Sequence, residues 1–326
     1  MRTLSFLGDV VLDKAYGVNV PLDDFIFNLE HPLSCQGIPA RNKVNFCAER
    51  SFIEKTFGKM PLAVNLANNH IADFGDAAFL KTLDFLRANE IAYFGAGKAQ
   101  DNFNNPAIIP FEGKHIALLG YCCPSTNAIF GDENHFGSAK LMAERIVQDI
   151  NYSKKKADLV VINLHWGAED IRYPKPEDVK LARGLIDAGA DLLIGHHAHV
   201  IQSFEKYKGK NIFYGLGHFI FPYKERPSYY DGDKFLRVHN PKPSKSNREG
   251  LIVYLKANEN QPDYETIYFD DFKVRKVKAW IPRWVPERKS PFRLYRSLVH
   301  KWRLINHFID NPRLPTLSML KRFMGD

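Results

Sequence analysis

The sequence predicts an α/β fold, and three observations carry the prediction. Short apolar runs alternate with amphipathic stretches, polar residues gather where those runs end, and the composition, 45% hydrophobic and 25% charged, is that of an ordinary globular protein. The 326 residues suffice for a sizeable core. No segment approaches the roughly 20 uninterrupted apolar residues of a spanning helix. The opening run, Leu4 to Gly8, is too short for a signal peptide and is followed at once by Asp9, which predicts a cytoplasmic start. The four cysteines, Cys35, Cys47, Cys122 and Cys123, show no CxxC spacing, so reduced, unpaired thiols are expected.

In chain order, Leu4 to Gly8, Leu62 to Leu66, Ile91 to Phe94, Ile116 to Gly120, Leu159 to Leu164 and Leu192 to Gly195 read as buried strands: each is brief, apolar and closed by Gly, Asn or Asp. Between them, Asp76 to Asn89, Ser138 to Lys156 and Glu177 to Ala188 carry helical periodicity. Pro174 and Pro176 stand before the last of these, where a missing amide hydrogen does no harm. Residues 224–250 hold three prolines, several charges and no apolar period, which predicts a long loop, disordered or functional. Ile252 to Ala257 and Thr266 to Phe269 then read as paired strands around a polar turn at Asn258 to Asp263.

Charge divides the chain. Residues 273–326 hold 14 Lys or Arg against 3 Asp or Glu, leaving 31 basic and 34 acidic residues in 1–272. A slightly acidic body argues against a nucleic-acid partner, and the basic character belongs to the extension. We therefore divide the chain into a body, 1–272, and a basic C-terminal extension, 273–326. In the extension, Tyr295, Leu298, Val299, Trp302, Ile305 and Ile309 fall on one helical face and Arg293, Arg296, His300, Arg303 and His307 on the opposite one. Pro312 ends that helix, and a second amphipathic run spans Leu317 to Met324. Two roles fit the helix: packing on the body, or lying on an anionic membrane surface or a membrane-bound synthase, which would make the protein peripheral on the inner face of the membrane.

Chemistry concentrates at the carboxyl ends of the strands, the edge where open α/β sheets bind ligands. Asp9 follows the first run, Asn68, Asn69 and His70 the second, His165 the fifth, and His196, His197 and His199 the sixth; Glu30 follows the short run Phe25 to Phe27. Taken singly, each has a structural explanation, such as a cap, a turn or a satisfied imidazole. Three histidines within four residues after a buried strand have little structural use. Carboxylate, imidazole and amide oxygen together suit divalent Mn, Fe or Zn, and there are ligands enough for two ions. No cysteine joins the cluster, which speaks against a structural zinc site.

Seven ordered blocks, Phe6-Leu7-Gly8-Asp9, Asn28-Leu29-Glu30, Asn65 to His70, His165 to Glu169, Gly184 to Asp191, Gly195 to Val200 and Tyr214 to Phe221, resemble those of the CapA family of bacterial capsule synthesis, whose best-known members assist poly-gamma-glutamate synthesis and export. The resemblance covers roughly residues 1–256. It implies a calcineurin-like metallophosphoesterase fold, an αββα sandwich, here followed by the basic amphipathic helical extension. It also implies that Asp9, Glu30, Asn69, His165, His197 and His199 hold divalent metal ions, two in number, and that His70 assists the leaving group as acid or orienter. The implied activity is metal-dependent hydrolysis of a phosphoester or of a bond in an anionic polymer; a non-catalytic accessory docking on a polymer synthase is the alternative. Three positions depart from the pattern. Val11 stands where an Asp-x-His motif would place a ligand, Glu30 replaces the bridging Asp, and His218 replaces the usual Asn of Leu-Gly-Asn-Phe.

Overall fold

The alternation builds two sheets that pack face to face. The computed structural model describes residues 2–49, 51–223, 228–237, 243–256 and 261–310, with side chains to residue 302. The first sheet orders Gly17–Asn19, Lys273–Lys276, Asp263–Phe269, Glu249–Lys256, Thr3–Val10, Asp24–Leu29, Ala63–Asn65 and Ala92–Phe94, and His218–Ile220 pairs with Thr3–Val10 off that path. The second orders Phe204–Tyr207, Lys210–Phe213, Leu192–His196, Leu159–His165, Lys114–Cys122 and Ala107–Phe111. In each sheet four neighbouring strands run parallel: Thr3–Val10 to Ala92–Phe94 in the first, Lys114–Cys122 to Lys210–Phe213 in the second. All six predicted strands are present.

Three apolar clusters make the layers visible. Leu4, Phe6 and Ile26 of the first sheet meet Leu118, Val161 and Ile194 of the second, so the central core lies between the sheets. The outer face of the first sheet is covered by Phe79, Leu83 and Leu86 of the helix Gly75–Ala88, and that of the second by Ile146 and Ile150 of Ala143–Ser153 and Val179, Ala182 and Leu185 of Pro176–Asp187. Those spacings of three and four residues are one helical face turned to a sheet. The result is the αββα sandwich. The helix expected from Ser138 starts only at Ala143, because Gly137–Ser138 pairs with Ala96–Gly97 and the Ala139 amide donates to the Gly95 carbonyl.

The parallel strands of both sheets end on the same side, and within the first sheet one glycine contact sets how closely a further segment approaches there. A Cβ on Gly8 would stand 2.0 Å from the Gly217 carbonyl oxygen, so the residue before Asp9 must be glycine for the first strand to lie against the Gly217-His218 segment.

Two expectations are corrected. Cys35 and Cys47 form a disulfide, while Cys122 and Cys123 are free. Spacing gave no sign of it, because the fold of the intervening loop, not the spacing of the cysteines, brings their Cα atoms to 5.2 Å. Within 224–250, the strands Tyr229–Tyr230 and Phe235–Leu236 form a small sheet with Lys43–Val44, and a 3-10 turn follows at Lys245–Arg248, so this is no structureless loop. Residues 224–227 and 238–242 of it lie outside the described residues, as do 258–260 of the predicted turn and the run Leu317 to Met324.

The helix of the extension spans Lys289–Asp310. Phe292 is buried, the Tyr295 ring meets Tyr173 edge-on with centroids 4.7 Å apart, and Lys289 pairs with Glu177 at 2.9 Å. Leu298 and Trp302, expected to share the inward face of Tyr295 and Val299, are about 60% exposed. Among the described side chains of the stripe, Tyr295 and Val299 are half-buried on the body, and Leu298 and Trp302 point away because the inward direction is centred on Phe292.

Replacement of both Cys35 and Cys47 by Ser removes the closure of a short loop and is expected to cost about 2–4 kcal/mol of stability, read from urea unfolding. Thiol titration of the unfolded, unreduced protein should count two free thiols; four would remove the disulfide.

Candidate metal centre

Two carboxylates from adjacent strands set the centre. Asp9 and Glu30 are fully buried, and one side-chain nitrogen serves both: Asn28 Nδ2 donates to Asp9 Oδ1 at 2.9 Å and to Glu30 Oε1 at 3.0 Å. Asn28 Oδ1 in turn accepts from Nδ2 of Asn65 and of Asn68, each at 3.1 Å, so three amides from two strand ends form one rigid unit. Asn68 also holds the following turn, its Oδ1 accepting from the His70 and Ile71 amides.

The second sheet delivers imidazoles across the sandwich. His165 and His196, register partners on neighbouring strands, reach Glu30 Oε1 at 3.5 Å and Asp9 Oδ1 at 3.1 Å respectively. His165 Nε2 also donates to Asn69 Oδ1 at 2.9 Å. The chain then turns through His197 and His199, both at positive φ, 81° and 56°. Such backbone is rare for non-glycine residues and collects at functional sites. His199 Nδ1 lies 3.7 Å from Asp9 Oδ2 and 2.7 Å from His218 Nε2; His197 Nε2 lies 4.0 Å from Glu169.

Among the described residues, donor atoms of Asp9, Glu30 and His165, of Glu169, His197 and His199, and of Asp9, His199 and His218 each cluster within 4.8 Å. Every residue expected as a ligand is therefore in one connected group, Asn69 through its contact with His165. His70 stands beside it, Nε2 3.4 Å from Asn69 Nδ2. Its Nδ1 donates to Asp73 Oδ2 at 2.7 Å, and Asp73 also pairs with Lys43 at 2.6 Å and accepts from the Phe46 amide at 2.8 Å. Lys43 further donates to the Asn69 carbonyl. Lys43 and Phe46 lie in the loop closed by the disulfide, which thus buttresses His70.

Burial decides the protonation states. It pushes His165 well below the ordinary imidazole range, His197 down to about 3 and His70 down as well, so these rings are neutral near pH 7, the form that binds metals. Burial would raise Asp9, but the His196 hydrogen bond and the neighbouring imidazoles hold it below the usual carboxylate range. Burial and the Asp9 charge push Glu30 well above that range. Glu30 is thus held toward its neutral form unless a positive charge stands beside it. Two of its buried atoms, Glu30 Oε2 and His197 Nδ1, make no hydrogen bond among the described residues. Neutral imidazoles, a carboxylate pair short of a counter-charge and two orphaned donors fit divalent cations.

Sequence reasoning missed Asn28, Asp73, Lys43 and Glu169 as working parts, and placed His196 at the rim without giving it a task. A signal existed for two of them: Asn28 shares a strand face with Glu30, and Asp73 lies one helical turn beyond His70. Asn28→Leu should cost about 2–5 kcal/mol in urea unfolding, because it strands the Asn65 and Asn68 amides and both carboxylates. An effect below 1 kcal/mol would show that they find other partners.

Residues 19–223 match the family model described as bacterial capsule synthesis protein PGA_cap. The capsule biosynthesis protein CapA of Bacillus anthracis is 31% identical over 244 residues, 67% of this chain and 59% of that protein. The PGA biosynthesis protein CapA of Bacillus subtilis is 36% identical over 159 residues, 48% and 42% of the two chains. This chain thus spans about half the length of these relatives. Among solved structures, a phosphatase from Mycoplasma pneumoniae aligns at a TM-score of 0.45 with 12% identity, covering 84% of this chain and 91% of that one. A match over more than half of the chain, joined to seven ordered blocks, places this chain in the bacterial capsule synthesis protein PGA_cap family.

Proposed function

We propose that this protein is a metal-dependent hydrolase of capsule or cell-envelope polymer synthesis, acting on a phosphoester or on a bond in an anionic polymer. The observation that carries the reading is the pair of orphaned buried atoms, Glu30 Oε2 and His197 Nδ1, inside a set of converging carboxylate, imidazole and amide donors. Asp9, Glu30, Asn69, His165, His197 and His199 would hold two divalent ions. Such ions, when bound, supply Lewis acidity and lower the pKa of water. His70 holds a proton at Nδ1 against Asp73, which fixes the ring with the lone pair of Nε2 toward Asn69; it is suited to orient a water or leaving group, and to protonate a leaving oxygen once Nε2 has itself taken up a proton.

A cavity of about 600 Å³ opens beside the centre, lined by His197 and Glu169 and, from the other side, by Lys175, Arg293, Arg296 and His300. The predicted basic face of the extension helix thus fronts a cavity that reaches the proposed metal ligands. Three fixed cationic side chains beside such a centre favour an anionic group. The outward Leu294, Leu298 and Trp302 remain open to a membrane surface or a synthase, the second part of the reading. The Cys35–Cys47 disulfide supports work in an oxidising compartment over the cytoplasmic expectation. A non-catalytic accessory role is the competing reading, favoured by similarity to the probable polyglutamine synthesis accessory protein of Mycobacterium tuberculosis, 28% identical over 218 residues.

With added Mn, the purified protein should hydrolyse an aryl phosphate or phosphodiester and lose at least 100-fold of that rate in His197→Ala. Bound metal without turnover on these esters or on poly-gamma-glutamate would favour the accessory role. The double variant Arg293→Ala, Arg296→Ala should weaken binding of an anionic oligomer by about 10–100-fold, measured by calorimetry, with metal content unchanged. Unchanged binding would remove the extension from the substrate site.

A further inference from the structure

The place two residues after Asp9, where an imidazole would complete a ligand set, holds Val11, a side chain with no donor atom. An imidazole nonetheless reaches Asp9 from another strand. His218–Ile220 runs parallel to Thr3–Val10 with His218 as the register partner of Asp9, and the Gly8–Gly217 approach holds the two backbones together. We propose that His218 is a metal ligand that replaces the imidazole missing at Val11 and, with Asp9 and His199, closes one of the two ion sites. The proposal rests on the metal-centre reading above and extends it to a residue outside that ligand set.

Four observations carry it. His218 Nδ1 lies 2.7 Å from the Asn247 carbonyl oxygen, which only accepts, so Nδ1 bears the hydrogen and Nε2 presents a lone pair. A ring nitrogen tied to a backbone carbonyl is the usual support of a ligating histidine, since it fixes the tautomer and raises the basicity of the other nitrogen. That Nε2 points at His199 Nδ1, 2.7 Å away, and His199 Nδ1 is 3.7 Å from Asp9 Oδ2. Donors that share one ion at about 2.0–2.1 Å stand roughly 3 Å apart, so the spacing is that of ligands around a common centre. Finally, the ring cannot swing away: it is buried and stacks on Phe221, with centroids 4.2 Å apart and planes 9° from parallel.

Asn247, whose carbonyl sets the tautomer, also donates from Nδ2 to the His199 carbonyl at 3.2 Å. One residue of the 245–248 turn therefore supports both imidazoles, which gives the segment after the small three-stranded sheet a task at the centre.

The test counts metal. The wild-type protein, loaded with Mn or Zn and desalted, should hold two equivalents by elemental analysis. His218→Asn, the amide found at this place in the family pattern, should hold one, or show the weaker of two affinities reduced on the order of 100-fold in chelator competition. Val11→His placed in the His218→Asn background should restore the second equivalent, because it returns the imidazole to the other side of Asp9. In wild-type protein labelled with 15N-histidine, zinc should move the His218 Nε2 resonance into the metal-bound range and leave Nδ1 as N–H, a readout that needs no variant and that an orienting role would not give. Two equivalents of unchanged affinity in His218→Asn, or an unmoved Nε2 resonance, would overturn the proposal and leave the metal centre standing. A wild-type protein that takes up no metal would overturn both.

Discussion

Asn28 carries the arrangement on which the rest depends: one amide nitrogen that donates to two buried carboxylates. Asp9 and Glu30 come from adjacent parallel strands, and without a shared donor and a nearby counter-charge two ionised carboxylates in this setting would repel each other strongly. The fold meets the first need with Asn28, itself fixed by Asn65 and Asn68, and leaves the second open. That open requirement is the physical reason to read the rim as a cation site. Everything else at the centre is placed relative to this pair: His196 and His165 bond to it from the opposite sheet, and His199 and His218 gather at its outer side.

The sandwich makes such a meeting possible because its two sheets end their parallel strands on the same side. Asp9, Glu30, Asn69 and His218 come from the first sheet and His165, His197 and His199 from the second, so two of the three donor clusters among the described residues draw on both sheets. Stability and function are coupled as a consequence. The side chains that would hold ions also bridge the layers, and the apolar cluster between the sheets fixes their separation.

Around the centre, segments without regular periodicity have specific mechanical tasks. The disulfide loop positions Lys43 and Phe46 against Asp73 and so fixes His70; the turn at Lys245–Arg248 fixes His199 and His218 through Asn247; the extension helix brings Arg293, Arg296 and His300 to the cavity. None of these segments contributes a strand to the parallel cores, yet each touches the centre or the cavity beside it.

By itself the sequence determined the α/β class, all six apolar strands, the three amphipathic helices of the body and the rim residues from Asp9 to His199. These follow from local rules: apolar period selects strand or helix, and a polar residue just after a buried strand has to emerge at its carboxyl end. Tertiary structure alone decided the Cys35–Cys47 pairing, the inward direction of the extension helix and the neighbours of His218. Each depends on a distance between segments far apart in the chain. Cys35 and Cys47 meet because the loop between them folds back, Leu298 and Trp302 turn outward because Phe292 and Tyr295 find the body first, and His218 meets Asp9 because two glycine-lined backbones touch. Periodicity along one segment carries no record of such distances, which are set only when the two sheets close on each other.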